Sequence, residues 1–127
     1  MEALILDASV LIGLLDTADT HHDRAIDEVE TADRRGQQLL LPASAYSETL
    51  VAFARARRLD DARQAISAMG ITVVPFTDTI AERAAELRAR HTSLRLPDAI
   101  VLASAQEIGG GLLSYDRKLS RLASKLA

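Results

Sequence analysis

Four carboxylates stand far apart in a chain of 127 residues, each beside residues that would aim it at a common point: Asp7, Glu48, Asp98 and Asp116. Asp7 directly follows the apolar run Ala3–Leu6, and Asp116 comes shortly after Leu112-Leu113. If those runs are strands, both acids leave the carboxyl edge of a sheet, where ligands bind in open α/β folds. Asp98 follows Pro97 at the start of a helical segment, where the helix dipole favours negative charge. Glu48 lies about 200° around a helix axis from Tyr46, off the apolar stripe expected of Tyr46, Leu50 and Phe53. It shares its face with Ala45 and Ala52, which are small enough to let a neighbour or ligand approach.

Carboxylates gathered in this way need a cation. Two of them about 4 Å apart repel by about 4 kcal/mol at an effective dielectric of 20, so a cluster of four requires compensating charge or raised pKa values. Hard oxygen donors suit Mg²⁺ or Mn²⁺, and Mg²⁺ held by few carboxylates keeps positions for a substrate phosphate and an attacking water. The chemistry this predicts is metal-assisted hydrolysis of a phosphodiester.

Every one of these residues also has a plainer role. Asp7 and Asp116 would each cap a helix, Asp98 would serve the dipole, and Glu48 would be a solvated surface acid. Ser9 and Ser114 each lie two residues from an acid and would hydrogen-bond a carboxylate or a metal-bound water, Ser9 also serving as a cap. Neither reads as a nucleophile, because His91 and the adjacent His21 and His22 provide no local triad signature. Two adjacent histidines cannot both point one way from a helix, so they make a poor metal motif and read as surface or helix-entry residues. Arg117, Lys118, Arg121 and Lys125 give the last eleven residues four positive charges and no acid. They suit a solvated helix end; the functional reading has Arg117 and Arg121 contacting the phosphates of a nucleic-acid substrate.

The elements that must position these side chains follow from periodicity. Apolar runs at Ala3–Leu6, Leu39–Leu41, Ile71–Val74 and Leu112-Leu113 read as buried parallel strands. Between them, apolar spacings such as Leu59, Ala62, Ile66, Met69 and Ile80, Ala84, Leu87 read as helices, giving the order β-α-α-β-α-α-β-α-α-β-α. Thr79-Ile80-Ala81-Glu82 fits a capping box. Ile100 to Ile108 is apolar nearly all round and reads as a buried helix with a deep N-terminus, and Gly109–Gly111 would end it. The acidic run from Asp16 to Asp33 reads as an exposed helical face.

Composition sets the outer bounds. With 48% hydrophobic and 26% charged residues the chain is an ordinary globular one, and its length suits one domain spanning residues 1–127. Four aromatic residues and no Trp are too few for an extended base-stacking platform. The net charge of −3 disfavours a general nucleic-acid coating protein, leaving room for a metal-supplied positive field. With no cysteine, disulfides, thiolate catalysis and Cys-ligated zinc are excluded. The N-terminus lacks the basic region of a signal peptide and no apolar stretch reaches membrane-spanning length, so a cytoplasmic location without membrane contact is expected.

Ile5-Leu6-Asp7-Ala8-Ser9-Val10-Leu11, Ser47-Glu48, Leu96-Pro97-Asp98-Ala99-Ile100 and Leu113-Ser114-Tyr115-Asp116 together resemble the four acidic motifs of PIN-domain ribonucleases, and more narrowly the VapC-like toxins of VapBC toxin–antitoxin pairs. The resemblance runs along essentially the whole chain. It implies a three-layer α/β sandwich on a central parallel sheet of four or five strands, with the last strand beside the first. It also implies a Mg²⁺- or Mn²⁺-dependent endoribonuclease, a homodimer, and a cognate VapB-like antitoxin covering the acidic groove. Asp7, Glu48 and Asp98 would then be core metal ligands and Asp116 a more peripheral fourth. The alternative is a catalytically silent PIN-like module that works by binding protein. A phosphate-transfer fold with an Asp after its first strand fits less well, since Ser9 stands where a second Asp would be expected and no Lys precedes residue 118.

Overall fold

Each of the four apolar runs becomes a short strand, and a pair of helices separates each from the next. The computed structural model describes residues 2–126. In order they form β1 (Ala3–Leu6), α1 (Ala8–Leu15), α2 (His22–Arg34), β2 (Gln38–Pro42), α3 (Ala43–Arg55), α4 (Leu59–Ala68), β3 (Ile71–Val74), α5 (Asp78–Arg90), α6 (Leu96–Ile108), β4 (Gly111–Leu113) and α7 (Arg117–Leu126). This is the α/β order that the periodicity predicts.

The sheet has four parallel strands in the order β3-β2-β1-β4. The chain therefore steps outward from β1 to β2 to β3 and then returns past both to lay β4 on the other side of β1. Parallel crossovers are right-handed, so the outward steps put their helices on one face and the return puts α5 and α6 on the other. Between β1 and β4 the direction of winding reverses. Register confirms the adjacency: Ile5 pairs with Leu112 and Leu6 with Leu113 on one side, and Ile5 with Leu40 on the other.

The core lies on β1 and α6. Ile5, Leu6, Val10, Leu11 and Leu41 are wholly buried, each worth roughly 1.5–3 kcal/mol of transfer free energy. On α6 every residue from Ala99 to Ala105 is buried, which explains the lack of polar punctuation there. The buried stretch is shorter than the sequence implies: Ile108 is exposed at one end, and Leu96 at the other is half-exposed, so the N-terminus of α6 opens toward solvent instead of sitting deep.

Three other expectations are corrected. On α3 the buried positions are Ala45 and Thr49, whereas Tyr46, Leu50 and Phe53 are only partly covered. α5 is capped two residues earlier than anticipated, because the Thr77 hydroxyl, not that of Thr79, accepts the Ile80 N–H at 3.2 Å. The acidic run is not uniformly solvated, since Asp19 accepts the His21 N–H and Glu28 accepts a tyrosine hydroxyl. At the far end of α6, Gly109 takes the left-handed conformation (φ 79°) that stops the helix. Gly110 is needed for a different reason: a Cβ there would fall 2.6 Å from the Ala3 carbonyl oxygen and from Ile5 Cδ1.

Candidate active site

The winding reversal between β1 and β4 dictates where side chains can meet. In open α/β sheets the loops diverge at the carboxyl ends of the strands flanking such a reversal, leaving a crevice. Asp7 leaves β1 at that edge, and Ser114 to Asp116 leave β4 beside it. α3 starts from the same edge, having followed β2, and brings Glu48 in its second turn. α6 must end at the amino edge in order to feed β4, so its first turn, with Asp98, returns to the carboxyl edge. Topology alone thus delivers four acids from four segments to one rim.

Asp7 is the fixed member, only 6% exposed. Its Oδ1 accepts from the Ser9 hydroxyl at 2.5 Å and from the Val10 N–H at 3.3 Å, the latter a helix cap, and its Oδ2 accepts from the Ser114 hydroxyl. Each serine oxygen in turn accepts a backbone N–H at 3.0 Å, Ser9 from Tyr115 and Ser114 from Asp116. The polarity is unambiguous. A backbone N–H can only donate, so each serine oxygen accepts from the main chain and turns its hydroxyl proton toward Asp7. Two serines, one in the first turn of α1 and one just after β4, clamp one carboxylate and stitch the β1–α1 junction to the β4–α7 loop.

Asp116 is also a cap, its Oδ1 accepting the Leu119 N–H at 3.2 Å, and it remains exposed. The plain reading of both aspartates is therefore correct, and it does not exclude the other. Each carboxylate retains lone pairs beyond those used in capping.

Glu48 and Asp98 carry the electrostatic signature. The Glu48 carboxyl is raised above the usual range, first by partial burial and then by the charge of Asp98, with Asp7 adding to it and Arg95 opposing. Asp98 is raised likewise, by burial first, then by Asp116, with Asp7 contributing and Arg95 opposing. All four acids thus act within one field. Among the described residues no group of three or more acidic, imidazole or thiol side chains is gathered closely enough to hold a metal ion. Mg²⁺ is commonly held by one or two carboxylates, with waters and substrate phosphates completing its shell, and an all-oxygen donor set with two carboxyls of raised proton affinity fits such an ion.

The remaining predicted residues fall into place unequally. Arg117 and Arg121 lie exposed on α7, one turn apart, just beyond Asp116. His21 and His22 are indeed helix-entry residues, but not idle ones, whereas His91 caps the C-terminal end of α5. His22 Nδ1 bonds the Gly13 carbonyl at 2.7 Å, and His21 stacks on Tyr115 with ring centroids 4.6 Å apart. Tyr115 also donates to Glu28 at 2.8 Å beneath the Arg24 guanidinium, bracing the β4–α7 loop against α2. Sequence reasoning missed this brace and missed Arg95, which stands 3.6 Å from Asp98. For Tyr115 the available signal was its place between Ser114 and Asp116.

The model of the PIN domain family matches residues 4–125. Among solved structures, a toxin–antitoxin complex from Klebsiella pneumoniae is similar at 25% identity and a TM-score of 0.71, over 91% of this chain and 88% of that one. VapC20 of Mycobacterium tuberculosis, a sarcin–ricin-loop-cleaving toxin, aligns over 94% of both chains at 18% identity and a TM-score of 0.73. FitAcB from Neisseria gonorrhoeae aligns at 16% identity and a TM-score of 0.72, over 95% of this chain and 93% of that one. A search of curated proteins finds no match. Among the described residues no helix is long and apolar enough to cross a membrane.

Proposed function

Since the chain belongs to the PIN domain family, we propose that it is a metal-dependent endoribonuclease and the toxin of a bacterial toxin–antitoxin pair, acting in the cytoplasm. The observation that carries this reading is the mutual field of Asp7, Glu48, Asp98 and Asp116 at the sheet's winding reversal. Similar proteins include a toxin–antitoxin complex and a toxin described as cleaving the sarcin–ricin loop.

Asp7, Glu48 and Asp98 would hold Mg²⁺, or Mn²⁺ in its place, with Asp116 as a peripheral fourth. When bound, the ion supplies a Lewis acid that acidifies water and offsets charge on the phosphate. The chain's own residues do the rest. Ser9 and Ser114 fix the rotamer of Asp7, so one carboxylate is positioned before anything binds. Glu48 and Asp98, with raised proton affinity, orient the attacking water and accept hydrogen bonds from it. Attack by water leaves a 5′-phosphate and a 3′-hydroxyl. Arg117 and Arg121 hold phosphates flanking the scissile one.

The antitoxin reading has its own support. A groove of about 340 Å³ between α1 and α3 is lined by Ile12, Leu15, Ala52 and Phe53, with Asp16, Glu48 and Arg58 also in its wall. Ile12 and, nearby on α3, Val51 are exposed large hydrophobics. An apolar segment of a VapB-like partner seated there would reach the acids and block them. The enzyme itself is proposed to work as a homodimer.

The test is to map RNA 5′-phosphate ends after expression of the wild type and of Asp98→Asn. New ends in the wild type that vanish in the variant support the assignment and name the substrate. Indistinguishable maps, or 2′,3′-cyclic products, overturn it and favour a module that only binds protein.

A further inference from the structure

The first turn of α3 buries a hydroxyl that has nothing to bond. Among the described residues, the Oγ of Ser44 is the buried side-chain oxygen left without a hydrogen-bond partner. Such orphans are rare in native proteins, where buried polar atoms are nearly always paired. Elsewhere in this chain helical hydroxyls solve the problem locally: Thr49 donates to the Ala45 carbonyl and Ser104 to the Ile100 carbonyl, each four residues back and at 2.8 Å. Ser44 is denied that outlet by its place. It is the second residue of α3, and the residue four back is Leu40, inside β2, so no helical carbonyl lies beneath it. What its side of the helix does carry is Glu48. Residues four apart stand one above the other on one helical face. Helical side chains lean back toward the N-terminus, so that of Glu48 projects over the turn that holds Ser44.

The treatment of Asp7 shows what is missing. Two serine hydroxyls hold that carboxylate in place, whereas Glu48 is exposed and none of the hydrogen bonds among the described residues reaches its carboxylate. One acid of the site has two hydroxyl donors, and one turn from another acid stands a hydroxyl donor with no acceptor. We infer that Ser44 is the positioning residue of Glu48: as Glu48 turns in from solvent to share a divalent ion with Asp7 and Asp98, one of its oxygens accepts the Ser44 hydroxyl and the other is left for the ion. The inference deepens the nuclease reading and rests on it. A hydroxyl that waits for its acceptor leaves the free protein short of a hydrogen bond, which the completed site restores. A hydrogen bond to a ligating carboxylate fixes its orientation and strengthens its hold on the ion. Ser44 therefore weakens the empty protein and strengthens the filled one, a pairing of opposite effects that a hydroxyl bracing α3 would not produce.

The experiment uses the full chain as wild type, Ser44→Ala, Glu48→Ala and the double variant. Mn²⁺ affinity is measured without RNA by electron paramagnetic resonance, and the melting temperature is measured by calorimetry without metal. Ser44→Ala should melt no lower than the wild type, because it deletes an oxygen that has no partner in the free protein. The same variant should bind Mn²⁺ about tenfold more weakly, the scale of losing a group that orients a ligand. In the Glu48→Ala background the loss of Ser44 should weaken Mn²⁺ binding no further, since the residue it acts through is already gone. Unchanged Mn²⁺ affinity in Ser44→Ala, a lower melting temperature without metal, or a full added loss in the double variant overturns the positioning role while leaving the nuclease reading in place. Failure of that reading looks different: the wild type itself would bind no Mn²⁺, and the role of Ser44 would fall with it.

Discussion

Replacing Ser114 with Ala removes one arm of the clamp on Asp7. The hydroxyl donates to a carboxylate, a contact of roughly 1.5–3 kcal/mol, and accepts the Asp116 N–H, worth roughly 0.5–1.5 kcal/mol. Ser114 is 9% exposed, so water at the rim can re-satisfy part of the loss, which brings the expected cost to about 2 kcal/mol. Against a total stability of about 5–15 kcal/mol this is a large fraction, and for a chain of this size it lowers Tm by roughly 8 °C. Urea unfolding should show a lower midpoint at unchanged slope, because the surface exposed on unfolding is nearly the same. Ser9→Ala removes the other arm, and since both hydroxyls serve one carboxylate the double variant should depart from additivity by about 1 kcal/mol. A Ser114→Ala protein within about 0.5 kcal/mol of the wild type, or strict additivity with Ser9→Ala, would refute the idea that the clamp fixes the site.

Three further outcomes are expected. Because the folded-state pKa of Asp98 is raised, its ionisation costs folded stability as pH rises through that value; the metal-free Asp98→Asn variant should therefore melt higher than wild type at pH 7. That advantage should fade toward and below the unfolded value of about 3.9, and a difference in melting temperature that does not change with pH would contradict it. Gly110→Ala should cost at least about 2 kcal/mol, since its Cβ would meet the Ala3 carbonyl and Ile5 at 2.6 Å; chemical denaturation with a near-wild-type midpoint would remove the close-approach argument. Tyr115→Phe should lose about 1 kcal/mol with the hydrogen bond to Glu28, and hydrogen exchange should show faster opening of residues 114–116. Unaltered exchange there would deny the brace its role.

The sheet and its helix pairs were legible because buried parallel strands and amphipathic helices advertise themselves in hydropathy. What escaped was encoded in residues that hydropathy does not weigh. The buried face of α3 is built on Ala45 and on Thr49, whose hydroxyl is satisfied by the Ala45 carbonyl at 2.8 Å, so a small residue and an internally bonded polar one outrank the larger Leu50 and Phe53. Thr77 and Thr79 are two residues apart, and the glutamate after the second pointed to the wrong cap. For the acids, residue type and neighbours predicted a common edge, and topology delivers them there. The mutual field around Glu48 and Asp98, and Arg95 within it, became visible only once α3 and α6 were placed side by side. No local pattern encodes a contact between helices about fifty residues apart.

The seating of β4 beside β1 has a consequence for the protein's own synthesis. At roughly 5–20 residues per second, Asp7 and Ser9 leave the ribosome well before Ser114, Tyr115 and Asp116 are made, although the hydrogen bond from Tyr115 to Ser9 spans 106 positions. Until that last strand docks, Asp7 has one serine instead of two, and the β4–α7 loop has nothing to lean on. A growing chain therefore carries its first acids without the geometry that makes them a site. The finished edge forms only after Ser114, Tyr115 and Asp116 have been made and have docked against Asp7 and Ser9.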